Sequence, residues 1–327
     1  MLGWLAVVAA GILNGTFAVP MKTARRWSFD QIWGAFSVLA MAVLPWLAVW
    51  IANPRGSPVV SRVPAAGLIQ LISLGLLWGA ASLLYGMAVD ALGVSLGISI
   101  QLGLSIVVGA LVPRVWQHAT TSSGGSAPAF YMGLLLMVAG VIACAGAGRG
   151  DHSEVAEPKD RSRFRRGLVI AIAGGLGAPL LNVGIQYGQT LFSSDRPDAG
   201  SGKAVAWAVF LAAASVTQGG YCVVRIFRRR ALGEYFQAAA SGEWLRVIAM
   251  AILWAASIFL YAIGATALGP LGTSVGWPIL IGLIVVTSNS WGVALGEWKK
   301  APSRRFRQML AGSSLLVFAA FLVARGR

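Results

Sequence analysis

The chain alternates long apolar stretches with short charged segments. Nine stretches contain no Asp, Glu, Lys or Arg: 1–21, 31–54, 63–89, 91–113, 115–148, 167–194, 204–224, 247–296 and 308–324. Because a helix needs about 20 apolar residues to cross the hydrocarbon core of a bilayer, these stretches predict membrane-spanning helices. The block 247–296 is long enough for two helices, and the glycines and proline of 268–272 predict a turn in its middle.

Ten spanning helices follow from this pattern. The predicted spans are 2–20, 31–52, 65–89, 92–113, 129–149, 167–189, 204–225, 246–268, 271–295 and 307–324. With 57% apolar and only 11% charged residues, the chain cannot cover itself with the polar surface of a soluble domain. The sequence therefore predicts an all-α integral membrane protein with ten transmembrane helices.

An internal repeat divides these helices into two halves. Leu77–Gly93 and Leu253–Gly269 agree at eight of 17 positions without a gap, and both lie within long apolar stretches. Five predicted helices fall in 1–149 and five in 167–327, and the charged segment 150–166 joins them as a cytoplasmic linker loop. An odd number of helices per half turns the second copy over in the membrane. We therefore expect two inverted five-helix repeats, which are typical of transporters.

Positive charge predicts the orientation in the membrane. Of the 26 Lys and Arg residues, 19 lie in the loops after odd-numbered predicted helices or at the adjoining helix ends, and seven lie elsewhere. Since cytoplasmic loops retain positive charge, both termini are expected on the non-cytoplasmic side. The basic residues, which give a formal charge of +15, are dispersed over short loops. Such loops suit the anionic heads of a lipid bilayer and do not form a continuous patch for nucleic acid.

Clusters of reactive side chains are absent from the sequence. Cys144 and Cys222 fall within predicted spans, where they are expected to pack as small apolar residues, and they show no metal-type spacing. The sequence contains no nucleophile–base set and no glycine-rich phosphate loop on a charged face. We expect no enzyme activity, no metal and no cofactor, and the sequence predicts no particular oligomeric state.

Uncharged polar and aromatic residues inside the predicted spans are the candidates for a binding site. Each is costly in hydrocarbon unless it faces a partner or a wet cavity. Trp78 and Tyr85 lie on one face of the third predicted helix, and the repeat places Trp254 and Tyr261 at the matching positions of the eighth. Tryptophans that pack in the bundle with satisfied N–H groups are the alternative. The candidate substrate-binding residues are Asn14, Trp78, Tyr85, Gln101, Asn182, Gln186, Tyr261 and Trp277.

These side chains suit a neutral polyhydroxy compound. Amides form hydrogen bonds with hydroxyls in both directions, and aromatic rings cover the apolar C–H face of a sugar. No Lys or Arg lies in the middle of a predicted span to bind an organic anion, and no carboxylate lies there to bind a cation. Pro179 and Pro278 are expected to interrupt the sixth and ninth helices, as hinge or binding positions or as ordinary kinks.

Three segments resemble one family of transporters. They are Phe17–Trp33, Trp78–Pro113 and Trp291–Ala301, and the second carries the motif W-G-x5-Y-G-x5-L-G-x-S-x-G at Trp78–Gly97. These residues resemble the L-rhamnose–proton symporter family of the drug/metabolite transporter superfamily, and the resemblance covers most of the chain. It implies import of L-rhamnose or a related deoxy-sugar across the bacterial inner membrane, with a proton as the driving partner and alternating access as the mechanism.

The resemblance is not complete. Where family members carry asparagines beside the Trp-Gly and Tyr-Gly pairs, this chain has Ser82 and Leu84. A changed substrate is therefore open, and export of a small metabolite or drug is the alternative function. Proton coupling needs a titratable group, and the candidates are Asp90, which closes the third predicted helix, and Glu297, which ends the ninth. A turn residue and a surface partner of a neighbouring lysine are their respective alternative roles.

Overall fold

The apolar stretches form helices because a helix satisfies its backbone N–H and C=O groups within its own segment. A computed structural model describes residues 1–52, 64–116, 126–147, 161–191, 199–237, 240–269, 272–299 and 301–325, whose regular structure is helical throughout. Ten helical segments among them are long and apolar enough to cross a membrane, which confirms the predicted number. They are Leu2–Thr23, Phe29–Ile51, Ala65–Tyr85, Gly97–Val115, Ala127–Ala147, Phe164–Gly188, Ala204–Arg228, Ser241–Ala267, Gly272–Ala294 and Ser303–Arg325.

Eleven α-helices within the described residues carry these segments. Two short 3-10 helices lie outside these α-helices, Pro20–Thr23 after α1 and Leu232–Phe236 after α8, and a π-helical turn over Leu39–Val43 joins α2 to α3. The bounds are α1 (Leu2–Thr16), α2 (Phe29–Val38), α3 (Leu44–Ala52), α4 (Ala65–Trp116), α5 (Ala127–Ala147), α6 (Arg161–Gly177), α7 (Leu180–Leu191), α8 (Ala199–Arg228), α9 (Ser241–Ala267), α10 (Gly272–Ala294) and α11 (Ser303–Arg325).

Helix α4 continues where the sequence predicted that one helix ends at residue 89 and the next begins at residue 92. The backbone is helical from Ala65 to Trp116, and the two candidate spans within this helix are joined by helical residues. The joining sequence, 86–96, contains no proline and is rich in the helix formers Ala, Leu and Met. Its glycines therefore do not suffice to end the helix, and the predicted break between the third and fourth helices is wrong. The side chain of Asp90 itself lies outside those that the structure describes.

The two prolines behave differently. Pro179 interrupts the sixth span as predicted, because α6 ends at Gly177 and α7 begins at Leu180. Pro278 lies inside α10, which continues through it, so the predicted interruption there is wrong. Three of the five residues before Pro179 are glycines, compared with one of the five before Pro278. Since glycine weakens a helix, only the first proline falls in a segment that is already weak.

Two compact units are distinguished within the chain. The first combines Met1–Thr16, Ala81–Pro179 and Phe259–Arg327, and the second combines Phe17–Ala80 and Leu180–Ile258. Both units draw on residues before 150 and after 166, so that this division differs from the two predicted repeats. The inverted repeat itself stays a prediction.

Glycines permit close helix packing in the first unit. A Cβ added at Gly11 or Gly15 of α1 would overlap side chains of α10. Helix α5 packs against α11, where Gly312 lies beside the Sγ of Cys144. Cys144 is buried, which agrees with its predicted role as a small packing residue. Small residues are suited to these places because lipid provides no hydrophobic drive for helix association, and close contact must supply the attraction.

Helix α8 is the main packing surface of the second unit, where α2, α3 and α7 contact it. Two glycines of α4 also lie directly against its backbone. Gly75 approaches the carbonyl oxygen of Phe210, and Gly79 approaches that of Ala214. A backbone atom cannot turn away as a flexible side chain can, so these two positions have no room for a side chain.

Gly75→Ala is expected to lower the stability of the protein, because the new Cβ would meet the Phe210 carbonyl oxygen. The expected loss is about 1–3 kcal/mol, as for other overpacked sites, measured as a lower melting temperature of the detergent-purified protein. Gly220→Ala in α8 is the matched control, because nothing lies within 4 Å of the added Cβ. Equal melting temperatures for the two variants would contradict the close approach.

The start of α2 contacts the end of α8 and the segment between α8 and α9 within the second unit. The buried carboxylate of Asp30 accepts a hydrogen bond from Arg225 Nε at 3.0 Å and pairs with Arg229 Nη1 at 3.1 Å. The Tyr235 hydroxyl donates to the carbonyl oxygen of Gln31 at 2.7 Å. Burial raises the pKa of the Tyr235 hydroxyl, which therefore remains protonated and a donor at neutral pH.

Glu243 fixes the segment before α2 to the start of α9. Its side chain is almost completely buried, and Oε1 accepts hydrogen bonds from the backbone N–H groups of Arg25 at 3.1 Å and Arg26 at 3.2 Å. Arg246 Nη1 lies 3.6 Å from Oε2. Glu243 also stands in the first turn of α9, where the N–H groups of a helix carry partial positive charge and favour a carboxylate.

Glu243→Ala is expected to destabilise the protein by about 1.5–3 kcal/mol, because two backbone donors lose a charged acceptor. The melting temperature in detergent measures this loss. Glu297→Ala removes an exposed carboxylate and is expected to change stability by about 0.5 kcal/mol or less. If the two variants melted at the same temperature, Glu243 would not hold the segment before α2 in place.

Candidate functional site

Gln101 is the most unusual of the predicted site residues in the first unit. It lies on α4 with only 2% of its surface exposed, and its Nε2 donates to the carbonyl oxygen of Leu84 at 3.2 Å. Its Oε1 is buried and has no hydrogen-bond partner among the described residues. Gly174 of α6 makes room for this side chain, since a Cβ there would lie 2.5 Å from Nε2, and Gly175 lies against the backbone of Gln101. A buried amide oxygen without a partner costs free energy that a bound donor would recover.

Ser105 lies one turn after Gln101 on the same face of α4, and Trp277 contacts it. The indole N–H of Trp277 donates to the Ser105 carbonyl oxygen at 3.0 Å and contacts the Ser105 hydroxyl at 3.3 Å. Gly109, one turn further along α4, lies directly against the indole ring. Tyr261 packs edge-on to Trp277, with ring centroids 5.8 Å apart, and both side chains are buried. Because the indole N–H is engaged within the protein, Trp277 can offer a ligand its ring.

The other predicted residues of the first unit are less enclosed. Asn14 is half-buried on α1, and Tyr85 on α4 is 39% exposed. Glu297 is exposed and follows Gly296, whose φ of 78° ends α10. The backbone N–H of Glu297 donates to the carbonyl oxygen of Gly292 at 2.9 Å, as expected just past a helix end. The roles predicted for these residues, and for Asp90, stay predictions.

The two tryptophans that the internal repeat relates are stacked on each other in the second unit. The ring centroids of Trp78 and Trp254 are 6.1 Å apart with an interplanar angle of 25°. Phe210 packs on Trp78 at 6.0 Å, and Phe36 packs edge-on to Trp254 at 5.9 Å. Both tryptophans are buried. The sequence predicted an aromatic stripe on each helix separately, and the structure adds that the Trp ends of the two stripes contact each other.

The polar residues of α7 begin immediately after the break at Pro179. Asn182 is completely buried, and Gln186, one turn later, is half-buried. Four-residue spacing places the two amides on the same face of α7. The break thus starts a new helix whose first two turns present neutral hydrogen-bonding groups, in the same unit as the tryptophan stack.

A buried neutral pair in the second unit was missed by the sequence analysis. Gln218 Nε2 of α8 donates to the Ser37 hydroxyl of α2 at 2.8 Å, and that hydroxyl donates to the Trp33 carbonyl oxygen at 2.7 Å. Both side chains lie inside predicted spans and carry no charge, so the criterion that selected Asn182 also applies to them. They extend the set of neutral polar groups held inside this unit.

The buried carboxylates of the described residues are Asp30 and Glu243, and neither was a predicted site residue. Asp30 directly precedes the predicted span 31–52, and Glu243 precedes the predicted start at 246, so that both were assigned to loops. Each is held by donors from its own unit, two arginines for Asp30 and two backbone N–H groups for Glu243. This arrangement is that of a structural anchor.

The assembled groups are suited to binding and not to bond-breaking chemistry. In the part of the chain that the structure describes, no three His, Cys, Asp or Glu side chains come together to hold a metal ion. The first unit presents an amide, hydroxyls and rings around Gln101 and Trp277, and the second presents amides and rings around Asn182 and Trp78. Such neutral groups recognise hydroxyls and apolar C–H faces.

Comparison with known proteins gives the family. The family described as L-rhamnose-proton symport protein (RhaT) matches residues 1–327. A protein named L-rhamnose-proton symporter from Pectobacterium carotovorum subsp. carotovorum (strain PC1) is 22% identical over 320 residues. Proteins of the same name from Mannheimia succiniciproducens and Escherichia coli O17:K52:H18 are 23% identical over 327 residues and 21% identical over 322 residues.

In all three comparisons the matched region covers 95% of this chain and 93% of the relative. The similarity therefore extends over the whole membrane region and is not confined to one motif. Together with ten candidate spans in an all-helical chain, the full-length family match identifies a multi-pass membrane transporter, not an enzyme, that belongs to the L-rhamnose-proton symport protein family.

Proposed function

We propose that the protein imports a neutral sugar, L-rhamnose or a related deoxy-sugar, together with a proton across the bacterial inner membrane. The observation that carries this proposal is the family match over all 327 residues. The chemistry of the buried groups supports it, because amides, hydroxyls and aromatic rings are the groups that recognise a polyhydroxy compound.

The proposed binding residues are those with neutral side chains inside the spans. Gln101 has the best defined role, because its buried Oε1 can accept a hydrogen bond from a sugar hydroxyl. Trp277 and Trp78 would offer ring faces, and Asn182 and Gln186 would offer amides. The complete set is Asn14, Trp78, Tyr85, Gln101, Asn182, Gln186, Tyr261 and Trp277.

The proposed mechanism is alternating access between two inverted five-helix repeats, 1–149 and 167–327, joined by the cytoplasmic loop 150–166. The helix break at Pro179 supports it, because transporters of this kind place discontinuous helices at their binding sites. The distribution of Lys and Arg supports termini on the non-cytoplasmic side. Membership of the drug/metabolite transporter superfamily belongs to the same proposal.

Asp90 and Glu297 are the proposed proton-coupling groups. Glu297 is exposed at the end of α10, so a proton could reach it from water. Asp30 and Glu243 are less suited to this role, because two arginines pair with Oδ2 of Asp30 and two backbone N–H groups donate to Oε1 of Glu243. Export of a small metabolite or drug is the second candidate, and Ser82 and Leu84, which stand in place of the family's asparagines, are consistent with a changed substrate.

The first experiment measures uptake of labelled L-rhamnose into proteoliposomes that contain the purified protein. An inward proton gradient is expected to drive accumulation above the outside concentration, and collapse of the gradient with a protonophore should abolish it. Liposomes without protein are the control. Sugar uptake that only reaches the outside concentration, whether or not the gradient is present, would contradict proton coupling. The absence of any uptake would contradict L-rhamnose as the substrate and favour export.

Gln101→Leu is expected to raise the half-saturating sugar concentration about three- to tenfold, the effect of losing one neutral hydrogen bond. Its melting temperature should change little, because loss of the hydrogen bond from Nε2 to the Leu84 carbonyl oxygen is offset by removal of a buried acceptor that has no partner among the described residues. Gln308→Leu is the matched control, since Gln308 Nε2 also donates to a backbone carbonyl at 3.2 Å but its side chain is exposed. Unchanged sugar affinity in Gln101→Leu would exclude this residue from the site.

A further inference from the structure

A small apolar cavity lies in the second unit between α2, the end of α8 and the segment that follows α8. It has a volume of about 200 Å³, and its walls include Gly34 and Val38 of α2, Val223 and Phe227 of α8, and Leu232. Sites for small polar ligands usually have about 300–1,000 Å³ and several convergent polar groups. This cavity is therefore distinct from the sugar site proposed above, and its apolar walls are suited to a hydrocarbon ligand.

The polar atoms of the two amphipathic side chains in the wall are already used. The Tyr235 hydroxyl donates to the Gln31 carbonyl oxygen, and the Trp244 indole N–H donates to the Tyr235 carbonyl oxygen at 3.0 Å. Both side chains therefore present carbon to the cavity. Water gains little in such a space, because it needs two to four polar partners.

The cavity is open on the side where the wall residues are exposed. Val38, Val223 and Phe227 are all well exposed, and all three lie within candidate membrane spans. Gly34 is five residues into α2, which places this wall about 8 Å from the helix end at 1.5 Å per residue. A chain from the bilayer can reach that depth from the side while its head group remains at the membrane surface.

Arginines stand at the same end of α8. Arg225, Arg228, Arg229 and Arg230 occupy four of six consecutive positions, and Arg228 is the last residue of the candidate span. Asp30 is the carboxylate that pairs with Arg225 and Arg229, so that the group keeps an excess of positive charge. Basic residues beside a groove between membrane helices attract anionic lipid head groups.

Arg230 holds a backbone conformation that arginine rarely adopts. Its φ is 55°, and its N–H donates to the Phe227 carbonyl oxygen while the N–H of Ala231 donates to that of Ile226. This hydrogen-bond pattern is the helix ending in which glycine usually occupies the left-handed position. An arginine in a glycine position indicates that its charge has a use that offsets the strained backbone.

We propose that this cavity and the arginines beside it bind one anionic phospholipid. An acyl chain lies in the cavity lined by Val38 and Phe227, and the phosphate lies against Arg228 and Arg230. The lipid covers an apolar surface that the protein leaves open, and the arginines select its charge. This site is independent of the sugar site and of the direction of transport.

The test measures the melting temperature of the purified protein in detergent during titration with phosphatidylglycerol or phosphatidylcholine of identical acyl chains. A ligand of the folded state raises the melting temperature according to its affinity. The native protein is expected to bind phosphatidylglycerol about tenfold more tightly than phosphatidylcholine. Equal affinity for the two lipids would overturn the assignment of the phosphate to the arginines.

The variant Arg228→Gln/Arg230→Gly separates folding from binding. Glycine suits the left-handed position, so the melting temperature without added lipid should not fall, whereas the preference for phosphatidylglycerol should disappear. Arg304→Gln/Arg307→Gln is the matched control, because it removes two exposed arginines at the start of α11. Persistence of the preference in the first variant, or its loss in the control, would refute the proposed site.

Val38→Phe tests the acyl chain by filling the cavity from an exposed position. Both lipids should then bind more weakly by about the same factor. The control Val317→Phe changes a comparably exposed valine of α11 and should bind both lipids as the native protein does. Unchanged binding to Val38→Phe would exclude the cavity. If the native protein is a dimer without lipid and Val38→Phe dissociates that dimer, a second copy of the chain covers the cavity. That result would refute the proposal.

Discussion

The hydrocarbon core of a bilayer offers no hydrogen-bond partner to the polypeptide backbone, and the structure of this protein follows from that constraint. Each candidate span satisfies its own backbone as a helix. Lipid also gives no hydrophobic reason for helices to associate, so the association depends on close contact. Glycines provide it: Gly75 lies against the backbone of α8, and Gly11 and Gly15 lie against α10.

The same constraint decides where polar side chains lie. Trp277 gives its N–H to Ser105, Gln218 gives its amide to Ser37, and Asp30 is paired with two arginines. In this setting the Oε1 of Gln101, a buried neutral acceptor without a hydrogen-bond partner among the described residues, points to a ligand. In the proposed function, binding of a neutral sugar requires no buried charge to be created or neutralised, so proton coupling falls to a separate titratable group.

The number of spans could be predicted from sequence because a run of about 20 apolar residues is a direct measure of membrane thickness. The continuity of α4 through Asp90 could not be predicted, because a charged residue marks the edge of an apolar stretch without ending a helix. The interruption predicted at Pro278 was wrong for a related reason: the helix continues through this proline, which lacks the run of glycines that precedes Pro179. Tertiary packing brings Trp78 against Trp254 and buries Asp30 and Glu243. The pattern of apolar residues along a sequence does not contain this information.

The interruption between α6 and α7 has a consequence for how this transporter can be dissected. Pro179 has no N–H, so the carbonyl oxygen of Gly175 lacks its usual helical donor, and this glycine is one of the two that contact Gln101. A backbone oxygen is unchanged by alanine substitution, and glycine has no side chain to remove. Removal of neighbouring side chains therefore does not test this carbonyl oxygen, whereas Pro179→Ala, which restores the backbone N–H, tests it directly.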